Sequence, residues 1–141
     1  MFKLIKIEGS GSNQPEPIRM KCCDGVNYKT NHAYKLCDGS LAEAEDVAAP
    51  THIAIETLKA GEKSTVLAFR IQDNMVFEAP VYGNINNFYV GCNYTLQVDS
   101  EGGAYGLYSS VNGGSVKIDD LNGAKQDGDK VYCRVTTEPN Y

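Results

Sequence analysis

With 141 residues, 42% of them hydrophobic and 22% charged, the chain has the size and composition of one folded globular domain and lacks the signature of disorder. Its formal net charge of −5 excludes the broad basic footprint of non-specific nucleic-acid binding, so no nucleic-acid partner is expected. No apolar run approaches the ~20 residues that span a bilayer, and the opening stretch is too short and too charged for a signal peptide, which predicts no membrane partner and a chain made in the cytoplasm.

Residues 2–7 open the chain as a strand candidate, and the Gly, Ser and Asn of residues 9–15 break it with linker-like composition. Residues 1–16 are therefore expected to form an N-terminal strand or flexible arm, and 17–141 a single domain. Apolar and basic residues alternate from Pro17 to Cys22, the period-2 pattern of a half-buried strand. Ala33 to Cys37, then Asp38-Gly39, then Ser40 to Ala44 read as a hairpin, because Asp-Gly supplies the positive φ of a type I′ turn. A helix competes over residues 40–48, where Ser40 with Glu43 makes a capping box and Leu41, Ala44 and Val47 recur at helical spacing.

Further strands are expected at residues 51–57, with Ile53 and Ile55 on one face, and at 64–71, 75–79, 94–98, 105–108, 116–118 and 131–135. Turns at 59–63, 73–74 and 101–103 separate them. Short strands with frequent turns predict an all-β fold, a small antiparallel β-barrel or sandwich with an extended N-terminal arm. No internal repeat of fixed period and no long helix is expected.

Candidate chemistry is sparse. Cys22, Cys23, Cys37, Cys92 and Cys133 are odd in number and include a vicinal pair, so free, mostly buried thiols are expected in place of a disulfide framework. No Cys-x-x-Cys or paired-His spacing is present, and no metal site or cofactor is expected. Only His32 and His52 could serve a nucleophile, and Cys37 with His52 is the one pair worth weighing; a structural thiol is the simpler reading. Asp119-Asp120 and Asp127 with Asp129 read as solvated turns, because the opposed acids of a glycosidase and the full calcium-loop pattern are both missing. No catalytic residue is assigned. Tyr82, Phe88, Tyr89 and Tyr94 surround the Asn-rich stretch 84–93 and could present a contact loop, although aromatics are equally expected of strands. Up to Cys37 the chain holds six Lys or Arg against three acids, and from Asp38 seven against fifteen, an asymmetry that can orient docking.

The progression Ala33 to Leu41 through the Asp-Gly turn, then Pro50-Thr51-His52-Ile53-Ala54, then Val66 to Ile71, Met75 to Glu78 and Tyr89 to Leu96 resembles the small β-barrel decoration, or cement, proteins of tailed-bacteriophage capsids. The resemblance covers most of residues 17–135 and rests on layout. It implies a structural virion protein, not an enzyme, that binds the major capsid protein on the capsid exterior and stabilises the expanded head. It also implies a homotrimer or other homo-oligomer. Members often add an N-terminal strand to the capsid surface by β-augmentation, which here would use Phe2, Lys3, Leu4, Ile5, Lys6 and Ile7. Pairing of the same residues within their own barrel fits the pattern equally well. A tail- or fibre-associated β-module that binds a receptor or glycan is the alternative function.

Overall fold

The computed structural model describes residues 2–9, 14–43, 50–98, 105–108 and 114–136. Its strands are β1 (Lys3–Ile7), β2 (Ile18–Cys22), β3 (Ala33–Cys37), β4 (Ser40–Glu43), β5 (His52–Ala54), β6 (Thr65–Arg70), β7 (Met75–Tyr82), β8 (Asn93–Val98), β9 (Tyr105–Tyr108), β10 (Val116–Asp120) and β11 (Lys130–Val135). One 3-10 turn, Ile85–Asn87, is capped by the Asn84 side chain. The expected all-β fold is therefore what the chain adopts.

Local chemistry explains the clearest boundary. Asp38 (φ 50°) and Gly39 (φ 83°) both take positive φ and set Cys37 opposite Ser40 and Leu36 opposite Leu41. The turn outcompetes the capping box, since Ser40–Glu43 is a strand; the rest of the competing helix, residues 44–48, lies outside the described residues. β5 is shorter than expected, ending at Ala54, and both of its faces are buried, leaving Ile55 exposed. Beyond it the Ile55 N–H still donates to the Leu67 carbonyl at 2.8 Å, while the Leu67 N–H goes to the Glu56 carboxylate at 2.8 Å, so a side chain supplies one bond of the ladder.

The strands are shared between two small closed barrels, not the single barrel that residues 17–141 led one to expect. The first closes in the order β2, β4, β3, β5, β6. The second contains β7, β11, β10, β8 and β9, closed by a parallel β7–β9 pairing, with β1 added at the edge of β7. The two barrels have the same connectivity. The first strand of each pairs parallel with the third and antiparallel with the fifth, the second pairs with the third and fourth, and the fourth with the fifth.

Register matches as well, which makes the chain a structural duplication. Ile18 opposite Ala68 corresponds to Phe77 opposite Cys133, Leu36 opposite Leu41 to Leu96 opposite Leu107, and Tyr34 opposite His52 to Tyr94 opposite Val116. The loops entering the second strands match in detail. The Tyr34 hydroxyl accepts from Lys29 N–H (2.8 Å) and donates to the Asn27 carbonyl (3.2 Å). The Tyr94 hydroxyl accepts from Tyr89 N–H (2.7 Å) and donates to the Asn87 carbonyl (2.9 Å). Asn31 and Gly91 supply the positive φ in each loop, and the ring pairs Tyr28 with Tyr34 and Phe88 with Tyr94 lie 4.9 and 4.8 Å apart.

Each barrel fills its interior from equivalent positions. Tyr34, Leu41, Ala54, Val66 and Ala68 line the first, and Tyr94, Leu107, Ile118, Val131 and Cys133 the second. The barrels then share an interface. On the outer wall of the first, Ala33, Ile53 and Phe69 stand side by side across β3, β5 and β6, buried against the second barrel. There Phe2 stacks on Phe77 at 4.3 Å, and Phe69 lies 6.5 Å from Phe77. The Tyr105 hydroxyl accepts the Ala33 N–H at 2.8 Å, and its ring stacks on His32 at 3.9 Å.

Candidate functional site

The surface that sequence reasoning singled out, residues 2–7, folds onto the chain itself. β1 pairs antiparallel with β7, Lys3 opposite Glu78 and Leu4 opposite Phe77, then Lys6 opposite Val76 after a bulge that leaves Ile5 unmatched. Phe2 is fully buried and donates its N–H to the Asn31 carbonyl at 3.0 Å, which ties the strand's start to the first barrel. Leu4, Ile5 and Ile7 are half-buried, whereas Lys3 and Lys6 are exposed. Of the two arrangements open to these residues, pairing within their own molecule is the one observed. β1 is nonetheless the edge of its sheet, and among the described residues its outer side has no neighbouring strand.

That edge is guarded. A bulge and two lysines are the devices by which natural sheets resist indiscriminate strand addition. A partner strand must therefore carry acids opposite Lys3 and Lys6 to pair without desolvating unmatched cations. The end of β1 is pinned by Arg134 of β11, which is ion-paired to Glu8 and, at 2.5 Å, to Asp119 of β10, and also donates to the Asp73 carbonyl at 3.3 Å. The same guanidinium holds the Glu8 carboxyl below its ordinary range.

Other expected site residues separate. Phe88 and Tyr94 are core, Tyr82 is half-buried with its ring 5.3 Å from Tyr108, and only Tyr89 is openly exposed, beside Val90. The aromatic cluster is thus divided between barrel interior and surface because the Tyr94 hydroxyl is needed to tie down its own loop. Cys37 and His52 lie apart: His52 is opposite Tyr34, three residues back along β3, and strand alternation turns Cys37 to the other face. Thr51 is the partner of His52, at 2.8 Å. All five cysteines are free, but only Cys133 is buried; Cys37 is exposed and the others intermediate, which corrects the expectation of mostly buried thiols. The acids are occupied in turns, with Asp120 accepting the Asn122 N–H and Asp129 those of Lys125 and Gln126. Among the described residues no group of three or more His, Cys, Asp or Glu could hold a metal ion, and no helix is long and apolar enough to cross a membrane.

The two histidines make the fold sensitive to pH below 6.5. Burial against Tyr105, reinforced by the charge of Lys29, pushes His32 down from 6.5 to about 4, and burial with Arg70 nearby lowers His52. Both are proton-poor in the folded state, so the unfolded chain binds more protons as pH falls below 6.5. The stability they contribute is complete above 6.5 and is lost progressively down to about 4 for His32. We expect His32→Phe, which keeps a ring against Tyr105, to lose less stability than wild type between pH 6.5 and 4. Urea midpoints across that range check it; parallel acid limbs would disprove the assignment.

Two features of the surface were not foreseen. One is Val90, 57% exposed beside Tyr89; in the first barrel the equivalent pair is Lys29 and Thr30, so the fold itself does not call for apolar side chains there. The other is the open end of the first barrel, where Ile18 and Leu36 are exposed. Neither could be recognised before the duplication was. Comparison of the chain with protein-family profiles, curated proteins and solved structures gives no match.

Proposed function

We propose that this chain is a structural virion protein that binds the outer surface of a tailed-phage capsid and stabilises the expanded head, made in the host cytoplasm and assembled on the virion exterior. The observation that carries the proposal is β1, an edge strand whose outer side meets no other strand among the described residues, with a lysine guard, held in place by Arg134 and by a buried Phe2. Capsid subunits would contribute a strand to that edge, with backbone hydrogen bonds supplying affinity and acids opposite Lys3 and Lys6 supplying selectivity. Two barrels packed wall against end make a stiff block, suited to resisting deformation of a shell. The task is mechanical and asks no chemistry of the acids or the thiols.

Electron microscopy and mass spectrometry of purified particles test the proposal. The expected result is one class of exterior sites on the shell, filled at stoichiometric copy number, and their loss in Lys3→Glu/Lys6→Glu. Particles lacking the chain would overturn it. A chain found only at the tail would instead favour a tail- or fibre-associated module, with exposed Tyr89 in the contact.

A further inference from the structure

The duplication supplies an internal comparison. Within the chain, the outer wall of the first barrel, Ala33, Ile53 and Phe69, covers the end of the second, where Phe77 and Leu96 are 0% and 8% exposed. Among the described residues no barrel wall covers the equivalent end of the first barrel. Ile18 and Leu36, which stand where Phe77 and Leu96 stand, are each 41% exposed at a cavity of about 520 Å³ that also reaches Met20, Ile71, His52 and Arg70.

Among the described residues no barrel covers the equivalent wall of the second barrel either. Its row is Asn93, Lys117 and Arg134, and Val90 joins Lys117 and Arg134 in lining a groove of about 750 Å³. Val90 and its neighbour Tyr89 are 57% and 59% exposed. Five large hydrophobic side chains are exposed among the described residues, and four of them, Ile18, Leu36, Tyr89 and Val90, lie at these two faces; Ile55 is the fifth. Single exposed apolar residues need no explanation, but their concentration at the two unmatched faces of a duplicated fold does.

The geometry points to a second copy of this chain as the occupant of both faces: the wall of one copy's second barrel, led by Tyr89 and Val90, docks on the open end of the next copy's first barrel. The contact continues the junction already made within the chain, wall against barrel end. Charge does not oppose it, since cations and acids balance at each face: Lys6, Lys117 and Arg134 with Glu8, Asp119 and Asp120 at the wall, and Arg70 with Asp73 at the open end. Replacement of the Ala33, Ile53, Phe69 row by Asn93, Lys117 and Arg134 keeps this wall soluble when alone and makes the contact between copies reversible, as terminal repeats of stacked modules require. Because the two faces differ, the association is head-to-tail and closes as a ring or grows as a chain. It does not depend on capsid binding, and its test uses the free protein.

Sedimentation over a concentration series, from micromolar to sub-millimolar, should show the mass of the wild type rising. Leu36→Glu removes the acceptor face and Val90→Glu the donor face. Each should weaken association by roughly tenfold or more, as loss of an anchoring side chain does. Mixed in equal amounts, the two should form a heterodimer and nothing larger, because each retains the face the other lacks. Ile18→Glu and Tyr89→Ser repeat the test at a second position on each face, and unchanged urea midpoints verify folding. A wild type that stays monomeric throughout, folded variants that associate as tightly as wild type, or a mixture that stays monomeric would each overturn the inference.

Discussion

Phe2→Ala should be among the most damaging single substitutions in this chain, at about 3–5 kcal/mol, the usual cost of emptying a fully buried Phe site. The ring is inaccessible to solvent, stacks on Phe77 at 4.3 Å, and belongs to the buried cluster in which Ala33, Ile53 and Phe69 of the first barrel meet the second. Its loss leaves a cavity that neither barrel wall can collapse into, because each is held by its own closed ladder. It also frees the start of β1, which is otherwise tied to the first barrel through the Phe2 N–H and the Asn31 carbonyl. Denaturant unfolding measures the total, and amide exchange at Leu4 and Lys6 should rise with it. A loss below about 1 kcal/mol would mean that the barrels do not lean on this residue.

Gly114→Ala should cost about 3 kcal/mol or more, at or beyond the top of the range for overpacking. A Cβ at Gly114 would run into the carbonyl carbon and oxygen of Tyr94 and the Thr95 nitrogen. These are backbone atoms of β8, so no rotamer change relieves the contact; β10 would have to shift away from the strand it pairs with. Gly25→Ala is the control. There φ is +78° but nothing lies within 4 Å, so only the conformational penalty of about 1 kcal/mol applies. Equal losses in the two variants, read from urea midpoints, would disprove the close-approach argument.

What could be read from the sequence is what depends on neighbours a few residues away. The Asp38-Gly39 turn, the alternation in β2 and the apolar run of β6 state their conformation locally, and each folds accordingly. β5 defeated the pattern because a strand between a barrel interior and a second barrel is buried on both faces, which alternation cannot express. The duplication escaped for a different reason. Tyr34 and Tyr94, Leu41 and Leu107, and Asn27 and Asn87 are retained, but most paired positions keep only size and burial, as with Ala54 and Ile118 or Ala68 and Cys133. The connections between strands also differ in length in the two halves, so no constant period runs through the chain. For β1 the residues specify a strand without naming its neighbour. Pairing to β7 is decided by Phe2, whose burial requires a site made by both barrels.

The position of β1 also has a bearing on how the molecule comes apart. The first strand in sequence completes the second half of the fold, so the intervening barrel is bracketed by segments that belong together. Severing the chain between β6 and β7 would leave Phe2 with Ala33, Ile53 and Phe69 on one fragment and Phe77 on the other, so the cluster that joins the barrels would be whole in neither. Unfolding should therefore be a single cooperative event for both halves, and refolding should wait on the strand pairing of greatest sequence separation among the described residues, the return of residues 2–7 to β7.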